Sequence, residues 1–441
     1  MNRNLFSYST NNELCFFQDG PEYYERFINL IQNAKTDIHL QTYIFMMDGF
    51  GNRVHAELIA AAQRNIKVYL LVDFIGSRLM DLKAQEQLLE AGIHFVRFNS
   101  IKIEWLYSWG RRLHHKILLV DQEIALIGGI NVLSSLAANP HFPQLDFAVS
   151  IRGPVTYELT QYCQHLFNSN STRQINFSPP KKTLPIQNGI PIKIVVNDWV
   201  FRRWQITKQY AELTKQATKE ITIISSYFFP RKSFMKQLVA AKKRGVRVRL
   251  VLPKYSDWPS YIKASEYLYS YFLENEIEIY QWSKSILHGK LAIVDDNWVT
   301  IGSFNLNYTS YQQNLEMNVN IYSKEFTQDL QKRISHIINE GCERLDSKSF
   351  LENSKITLKI QRFLYYLLLS LIANFSIGLI YQEEKEAQNR FFNLLRIISA
   401  LVLFGLGLFF LVIPLYPGIP FILLSFILIF FQKIYTSKAK V

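Results

Sequence analysis

The chain has 441 residues, of which 49% are hydrophobic and 19% are charged. This length and composition predict two or three domains with sizeable cores, and they exclude an intrinsically disordered protein. The formal net charge of +13 favours a polyanionic partner, either nucleic acid or anionic lipid, with a generally lysine-rich composition as the alternative explanation.

The first twenty residues do not have the apolar core of a signal peptide, because Asn11, Asn12 and Glu13 interrupt it. The three cysteines are far apart and show neither a disulfide framework nor the spacing of metal ligands. Both observations indicate a reducing compartment, so we expect the catalytic part to lie in the cytoplasm.

A strand–helix–strand pattern occurs twice along the chain. Segment 37–46 is short and rich in β-branched and aromatic residues, and segment 220–230 repeats this character. Each is followed by a helix and two further strands, in the paired segments 57–73 with 236–253 and 91–98 with 274–282. This duplication predicts an α/β fold of two pseudo-symmetric lobes, each with a mixed sheet covered by helices.

A polar, proline-containing segment separates the two copies and predicts a linker. We expect a first lobe at 1–167, the linker at 168–189, a second lobe at 190–348, an interfacial or membrane-associated helical region at 349–389, and a transmembrane hairpin with a basic tail at 390–441. A site built from both lobes would lie in the cleft between them.

The C-terminal region has a different composition. Residues 397–432 contain no charged residue and are interrupted by a Pro/Gly cluster at 413–420. Since about 20 apolar residues suffice for one span, this predicts a membrane hairpin, and the basic residues at both ends place those ends in the cytoplasm. Segment 363–381 is also apolar, but Asn374 and three tyrosines favour an interfacial helix over a spanning one.

Each lobe carries the pattern His-x-Lys-x4-Asp, followed by two small residues and an asparagine. Every position of the second copy lies 174 residues after its partner in the first. The first copy comprises His114, Lys116, Asp121, Gly129 and Asn131, and the second comprises His288, Lys290, Asp295, Ser303 and Asn305. Two copies at the same place in a duplicated fold indicate one paired site.

The spacing of this motif suits chemistry at a phosphodiester. The His-x-Lys alternation places both side chains on one face of a strand. The two lysines, with donors at Gly129, Asn131, Ser303 and Asn305, could neutralise charge on the nonbridging phosphate oxygens. One imidazole can attack phosphorus, while the other protonates the leaving alkoxide and later deprotonates the incoming alcohol. Neither step needs a metal, and we expect no cofactor.

Two further carboxylates follow the motifs at similar distances. Asp146 and Glu316 each fall in a strand that is predicted to return beside its own histidine. A carboxylate bonded to the far ring nitrogen would fix the tautomer and keep the near nitrogen nucleophilic. Asp121 and Asp295 are included among the catalytic candidates, although their place at a strand-to-turn transition favours bracing of a loop over contact with substrate.

Aromatic residues supply weaker candidates. Trp105, Tyr107 and Trp109, just before the first motif, would either dip into lipid headgroups or pack over a lobe. Tyr43 and Tyr227 end equivalent strands, where core packing is the more common fate of a tyrosine than a position in a cleft.

The paired motifs resemble those of the phospholipase D superfamily. The wider sequence, over roughly residues 18–342, is similar to that of bacterial cardiolipin synthases, particularly the type without an N-terminal membrane anchor. The segments that carry this similarity include YIF at 43–45, SSYFFP at 225–230, LHGK at 287–290 and NLEMNV at 314–319. In two respects the chain departs from the family: His115 stands where an arginine is common, and the C-terminal apolar segments are unusual.

This resemblance implies a phosphatidyl-histidine intermediate. The glycerol hydroxyl of a second phosphatidylglycerol would attack it, giving cardiolipin and free glycerol. The nucleophile would be His114 or His288, with a weak preference for His114, and Lys116, Lys290, Asn131 and Asn305 would surround the phosphate.

Three functions are compatible with these residues: phosphatidyl transfer, hydrolysis by a phospholipase D or nuclease, and a non-enzymatic membrane scaffold. Two intact motifs argue against the scaffold, and the apolar C-terminal region favours a lipid enzyme over a nuclease. We therefore predict phospholipid partners, with phosphatidylglycerol or phosphatidylethanolamine as the second donor, no nucleic acid, and a location at the cytoplasmic membrane. The oligomeric state is not predicted.

Overall fold

The computed structural model describes residues 8–99, 111–134, 144–352 and 355–380, together with isolated positions between 398 and 425. Residues 1–365 form one compact unit that contains both lobes, and residues 366–441 form a second unit. Apart from the isolated positions, the predicted hairpin at 397–432 lies outside the described residues, as do the three aromatic residues at 105–109.

The first lobe alternates strands and helices in the predicted order. Its strands are β1 (Ser9–Gln18), β2 (Asp37–Thr42), β3 (Lys67–Asp73), β4 (His94–Phe98), β5 (Arg112–Leu113), β6 (Lys116–Val120), β7 (Ile124–Gly128) and β8 (Phe147–Arg152). Its helices are α1 (Pro21–Gln32), α2 (Gly49–Gln63), α3 (Leu82–Glu90) and α4 (Val155–Asn170). The sheet order is β4–β3–β2–β6–β7–β8–β1, parallel among β4, β3 and β2 and antiparallel elsewhere.

The second lobe repeats this arrangement. Its strands are β9 (Ile190–Asp198), β10 (Arg203–Trp204), β11 (Glu220–Ser225), β12 (Arg247–Pro253), β13 (Glu278–Trp282), β14 (Lys290–Val294), β15 (Trp298–Gly302), β16 (Asn314–Tyr322) and β17 (Cys342–Arg344). Its helices are α5 (Gln205–Gln216), α6 (Lys232–Lys243), α7 (Pro259–Glu274), α8 (Tyr308–Gln312) and α9 (Lys324–Gly341). The order β13–β12–β11–β14–β15–β16–β9 has the same parallel and antiparallel pairs, which confirms the predicted two-lobed α/β fold.

The hydrophobic cores follow from the sequences of the central strands. The parallel strands β3 and β12 are buried at every position after the first, as expected for strands covered on both faces. In the first lobe, one face packs under α1, α2 and α3. The other face belongs to a core shared by both lobes, which contains Phe147, Leu291 and Met317 and is covered by α4 and α9. The two lobes therefore share one hydrophobic core.

Two short contacts join the lobes at the edge where the motif strands begin. Leu113 of β5 pairs with Leu315 of β16, and an isolated bridge pairs Leu145 with Leu287. Each contact places the residues before a motif histidine beside the residues before a carboxylate of the other lobe. This arrangement determines the geometry of the site.

The chain from Ser171 to Gly189 contains no helix or strand, and α4 extends to Asn170, three residues into the segment predicted as the linker. After the second lobe come α10 (Ser347–Glu352) and α11 (Ile356–Ile380). Arg362 of α11 forms an ion pair with Glu266 of α7 at 2.8 Å. Among the described helices, the segment Ile356–Ala373 of α11 is long and apolar enough to cross a membrane by length and composition.

Candidate active site

The two motif histidines lie immediately before equivalent strands, and the opposite lobe fixes both of their backbones. The amide of His114 donates a hydrogen bond to the carbonyl of Leu315, and the amide of His288 donates to the carbonyl of Leu145, each at 2.9 Å. The cleft between the lobes therefore brings together the two motifs, which are 174 residues apart in the sequence.

The supporting carboxylates are crossed between the lobes. His114 Nδ1 lies 2.9 Å from Glu316 Oε2, and His288 Nδ1 lies 2.6 Å from Asp146 Oδ2. The prediction that each carboxylate supports the histidine of its own lobe is therefore wrong. Within one lobe, β7 separates the strand of the histidine from the strand of the carboxylate, whereas the contacts between lobes bring the opposite pair together.

These contacts fix the orientation of both imidazoles. With Nδ1 donating its proton to a carboxylate, the lone pair lies on Nε2, which is the nitrogen able to attack or to accept a proton. No described residue forms a hydrogen bond with Nε2 of His114 or of His288.

Burial controls the charge of these groups. Desolvation lowers the pKa of His114 to about 4, and the charge of Lys116 adds to this, although Glu316 opposes the shift. The pKa of His288 is lowered in the same way, by burial and by Lys290 against Asp146. Burial raises the pKa of Glu316, but His114 and Lys116 outweigh burial and lower that pKa overall. Near neutral pH the site therefore holds a neutral His114 and an anionic Glu316.

The two motif lysines are almost fully buried, at 4% and 1% exposure for Lys116 and Lys290. Lys116 Nζ donates to the carbonyl of His114 at 2.6 Å, and Lys290 Nζ donates to the carbonyl of His288. Burial lowers their pKa values to about 7 and about 8, and the charge of Lys290 contributes to the shift at Lys116. Desolvated ammonium groups without a directly bonded carboxylate are strong ligands for a phosphate oxygen.

Ser303 and Gly129 were predicted to contact substrate, but in the structure both lie against the supporting carboxylates. The hydroxyl of Ser303 donates to Glu316, which also accepts from Ser310 Oγ at 2.6 Å and Asn314 Nδ2 at 3.0 Å. At Gly129, an added Cβ would lie 2.2 Å from Asp146 Oδ1, so a larger residue would displace that carboxylate. Sequence position alone did not distinguish these supporting contacts from contacts with substrate.

The two motif asparagines are held by their carbonyl oxygens. Asn131 Oδ1 accepts from the amide of Ile44 at 3.1 Å, and Asn305 Oδ1 accepts from Ser226 Oγ at 2.6 Å. This orientation leaves each Nδ2 group without an acceptor among the described residues, so each can donate to a phosphate oxygen.

Asp121 and Asp295 lie at the far ends of the motif strands from the histidines. Asp121 accepts from the amides of Lys35 and Thr36 and from the Thr36 hydroxyl, and Asp295 accepts from the amides of Thr218 and Lys219 and from the Thr218 hydroxyl. Their inclusion among the catalytic candidates is therefore corrected. Both carboxylates hold the loop before the first parallel strand of their lobe.

Two tyrosines lie beside the histidines, and the prediction that they pack in the core is wrong. The ring centroid of Tyr43 is 5.1 Å from that of His114, and the centroid of Tyr227 is 6.4 Å from that of His288. Both tyrosines are half-buried. Their occurrence at the ends of equivalent strands was the sequence signal for this position.

Two other residues near the motif are structural. His115 is fully buried, with Nε2 at 2.9 Å from Gln41 Oε1. Asp73 accepts from the amide of Leu113 at 2.9 Å and pairs with Arg112 at 3.4 Å, so it positions β5.

The fold and the site define a class of protein: a duplicated α/β phosphodiester-processing enzyme with one histidine and one lysine from each lobe. A model of the family described as "Cardiolipin synthase, PLD-like domain" matches residues 27–168 and 210–338, one region in each lobe. The chain belongs to this family of phospholipase D-like cardiolipin synthases.

Individual relatives agree with this assignment. The chain is 32% identical over 346 residues to cardiolipin synthase B of Shigella flexneri, covering 77% of this chain and 84% of the relative. It is 28% identical to cardiolipin synthase 1 of Staphylococcus aureus strain MRSA252, covering 80% and 72%.

A solved structure shares the fold. The phosphatidylserine synthase of Haemophilus influenzae Rd KW20 aligns with a TM-score of 0.65 at 16% identity, covering 83% of this chain and 95% of that one. At this identity the likeness concerns the fold alone.

Proposed function

We propose that the protein makes cardiolipin by transferring a phosphatidyl group from one phosphatidylglycerol to another. The observation that carries this proposal is the crossed pair of imidazoles, each held through Nδ1 by a carboxylate of the other lobe, beside two buried lysines. Membership of the cardiolipin synthase family supports phosphatidylglycerol as the substrate.

In the first half-reaction, Nε2 of His114 attacks phosphorus and displaces the glycerol headgroup. The P–N bond forms as the P–O bond to glycerol breaks, and His288 gives its proton to the departing oxygen. Glu316 supports His114 as the nucleophile, because an anionic carboxylate stabilises the positive charge that the imidazole gains. His288 has a lowered pKa in the empty site, and the anionic phosphodiester would raise that pKa on binding.

In the second half-reaction, a hydroxyl of another phosphatidylglycerol takes the place of the departed glycerol. Neutral His288 accepts the proton from this hydroxyl, the new P–O bond forms, and the P–N bond to His114 breaks. Lys116, Lys290, Asn131 and Asn305 neutralise the nonbridging oxygens in both steps. One phosphodiester replaces another, so the reaction runs in either direction with glycerol concentration.

The proposed substrates determine the location. Both lipids lie in a bilayer, and the excess of 49 Lys and Arg over 36 Asp and Glu favours an anionic membrane surface over a neutral one. We place the lobes on the cytoplasmic side of the membrane, with lipid rather than nucleic acid as the partner.

A substrate with an acidic leaving group tests the assignment of the two histidines. Phosphatidyl-p-nitrophenol needs no protonation of its leaving group, so His288→Ala should still release one equivalent of p-nitrophenol per enzyme and then stop. His114→Ala should release none. On phosphatidylglycerol, both variants should lose activity by several orders of magnitude. A burst in His114→Ala but not in His288→Ala would exchange the two roles.

The lipid products test the reaction class. Labelled phosphatidylglycerol alone should give cardiolipin and glycerol, with phosphatidic acid as a minor product. Predominant phosphatidic acid at every substrate concentration would identify a hydrolase instead. Cleavage of single-stranded DNA without any lipid product would identify a nuclease.

A further inference from the structure

The two halves of the site differ in the loop that follows the second parallel strand. After β12 this loop carries Asp257, whose Oδ1 accepts from the Tyr227 hydroxyl at 2.7 Å and from the Ser256 hydroxyl at 2.9 Å. The Tyr227 ring in turn lies 6.4 Å from the His288 ring, in an edge-on orientation. An acidic group is therefore connected to His288 through a single tyrosine.

The negative charge of Asp257 acts on Lys290, one of the two motif lysines. Asp257 acts to raise the pKa of Lys290, against the larger lowering effect of burial. The Asp257 side chain is exposed, and its second oxygen, Oδ2, accepts no hydrogen bond from any described residue. The neighbouring Lys254 pairs with Glu343 at 2.7 Å instead. Asp257 is thus an available acceptor on the His288 side of the site.

In the described part of the first lobe, the Tyr43 hydroxyl forms no hydrogen bond with a carboxylate. In the loop after β3, Ser77 is buried and donates its hydroxyl to the carbonyl of Tyr43 at 3.0 Å. The carboxylate near Tyr43 is Asp73, which is also buried and holds Leu113 and Arg112. Among the described residues, therefore, only the tyrosine on the His288 side of the site is hydrogen-bonded to an exposed carboxylate.

We propose that Asp257, held by Tyr227, binds the free hydroxyl groups of the glycerol headgroup and so selects a polyol as leaving group and acceptor. This inference rests on the proposed function, with His114 as nucleophile. In an in-line displacement the leaving and entering oxygens both lie opposite the nucleophile, which is the side of His288. Carboxylate oxygens accept hydrogen bonds from a second hydroxyl, which water and simple alcohols do not have.

An ammonium headgroup is the alternative ligand for this carboxylate, and the aromatic rings of Trp258 and Tyr261 stand nearby with their centroids 6.2 Å apart. An uncharged polyol is favoured, because Asp257 Oδ1 already accepts from two hydroxyl groups, which offsets part of the attraction of the carboxylate for a cation, while Oδ2 can accept from a hydroxyl group. Asp257 therefore favours a glycerol hydroxyl over an ammonium group as its ligand.

Exchange of soluble alcohols tests this subsite. Phosphatidylglycerol in detergent micelles is incubated with labelled glycerol, 1-propanol or ethanolamine, and the corresponding phosphatidyl alcohol is measured. Asp257→Ala should raise the KM for glycerol about tenfold or more, as expected for a lost hydrogen bond to a charged group, and should change transfer to 1-propanol far less. Tyr227→Phe should also raise the KM for glycerol relative to that for 1-propanol, but by a smaller factor. Asp296→Ala, at a partly exposed carboxylate paired with Lys219, is the matched control and should have no effect.

Transfer to 1-propanol also reports whether each variant is folded. An equal loss with all three alcohols would overturn the proposal, because Asp257 would then only position His288. A loss confined to ethanolamine would overturn it in favour of an ammonium site. A wild-type enzyme that uses glycerol and 1-propanol equally well would refute the subsite alone, whereas one that incorporates no alcohol would contradict the proposed transfer reaction itself.

Discussion

Each proposed catalytic histidine depends on a carboxylate from the other half of the chain. Glu316 accepts hydrogen bonds from His114, Ser303, Ser310 and Asn314, and its side chain is fully buried. Asp146 holds His288 across the cleft at 2.6 Å. A change at either carboxylate should therefore impair the histidine of the opposite lobe.

Burst experiments can detect this crossed dependence. Glu316→Gln should behave as His114→Ala does and release little p-nitrophenol from phosphatidyl-p-nitrophenol, because the imidazole loses its anionic partner. Asp146→Asn should behave as His288→Ala does and retain the burst. On phosphatidylglycerol, each variant should be slower by on the order of 10²- to 10⁴-fold. The opposite pattern of bursts would mean that each carboxylate serves its own lobe.

The buried lysines predict a decline of activity in alkali. The pKa of Lys116 is lowered to about 7, so the empty site loses this positive charge as the pH rises through that value. The kcat/KM for phosphatidylglycerol should fall above about pH 7, since this ratio reports the free enzyme. The kcat should fall only at higher pH, because the bound phosphate anion raises the pKa of the lysine.

Lys116→Arg is the matched variant for this pH profile. Arginine keeps its charge throughout the accessible range, so the alkaline limb should move toward the value set by Lys290, about pH 8, even if the maximal rate is lower. An alkaline limb that is unchanged in this variant would show that another group controls it.

At the scale of secondary-structure elements, Asp121 and Asp295 join the end of each motif strand to the loop before the first parallel strand. Both residues have positive φ angles, 55° and 54°, and both accept hydrogen bonds from successive backbone amides. Such residues should affect folding rather than catalysis.

Asp121→Ala or Asp295→Ala should lower the free energy of unfolding by about 1–3 kcal/mol, as expected when hydrogen bonds to a charged group are removed. The kcat per folded molecule should remain close to that of the wild type. Denaturant unfolding monitored by circular dichroism and an assay below the melting range measure the two effects separately. Asp296→Ala, one residue from Asp295, is the control. A variant of normal stability with a large loss of kcat would instead show that Asp121 or Asp295 takes part in catalysis.

At the scale of the whole molecule, catalysis and membrane attachment are predicted to be separable. Both motifs lie before Cys342, within the unit formed by residues 1–365. The charge-free segment 397–432 lies after this unit. A protein that ends at residue 389 would retain the whole of α11.

Removal of residues 390–441 should release much of the protein from membranes, because the deleted segment carries most of the apolar surface expected to enter lipid. Activity on detergent-solubilised phosphatidylglycerol should survive. Sedimentation of membranes and a micellar assay give the two results. A truncated protein that remains fully in the membrane fraction would assign the attachment to α11 or to the lobes.

Sequence patterns were sufficient for much of the fold because they reflect local physics. The strands β2 and β11 begin at the predicted residues, Asp37 and Glu220, because β-branched and aromatic runs have only a few ways to be buried. Both strands end earlier than predicted, at Thr42 and Ser225, since the aromatic residues that follow pack beside the site and no longer pair in the sheet.

By itself, the sequence determined the duplication, the two-lobed α/β fold and the paired His and Lys residues, because these depend on composition, periodicity and spacing within each repeat. The family was indicated by the resemblance of the motifs. The tertiary structure alone decided which carboxylate holds which histidine, that Ser303 and Gly129 serve those carboxylates, and that Tyr43 and Tyr227 lie beside the histidines. The physical reason is that the two repeats share one pattern of histidine, lysine and carboxylate, so the sequence pattern is compatible with two pairings, one within each lobe and one across the two lobes. Only the contacts of Leu113 with Leu315 and of Leu145 with Leu287 distinguish them, and these form when the lobes pack around their common core.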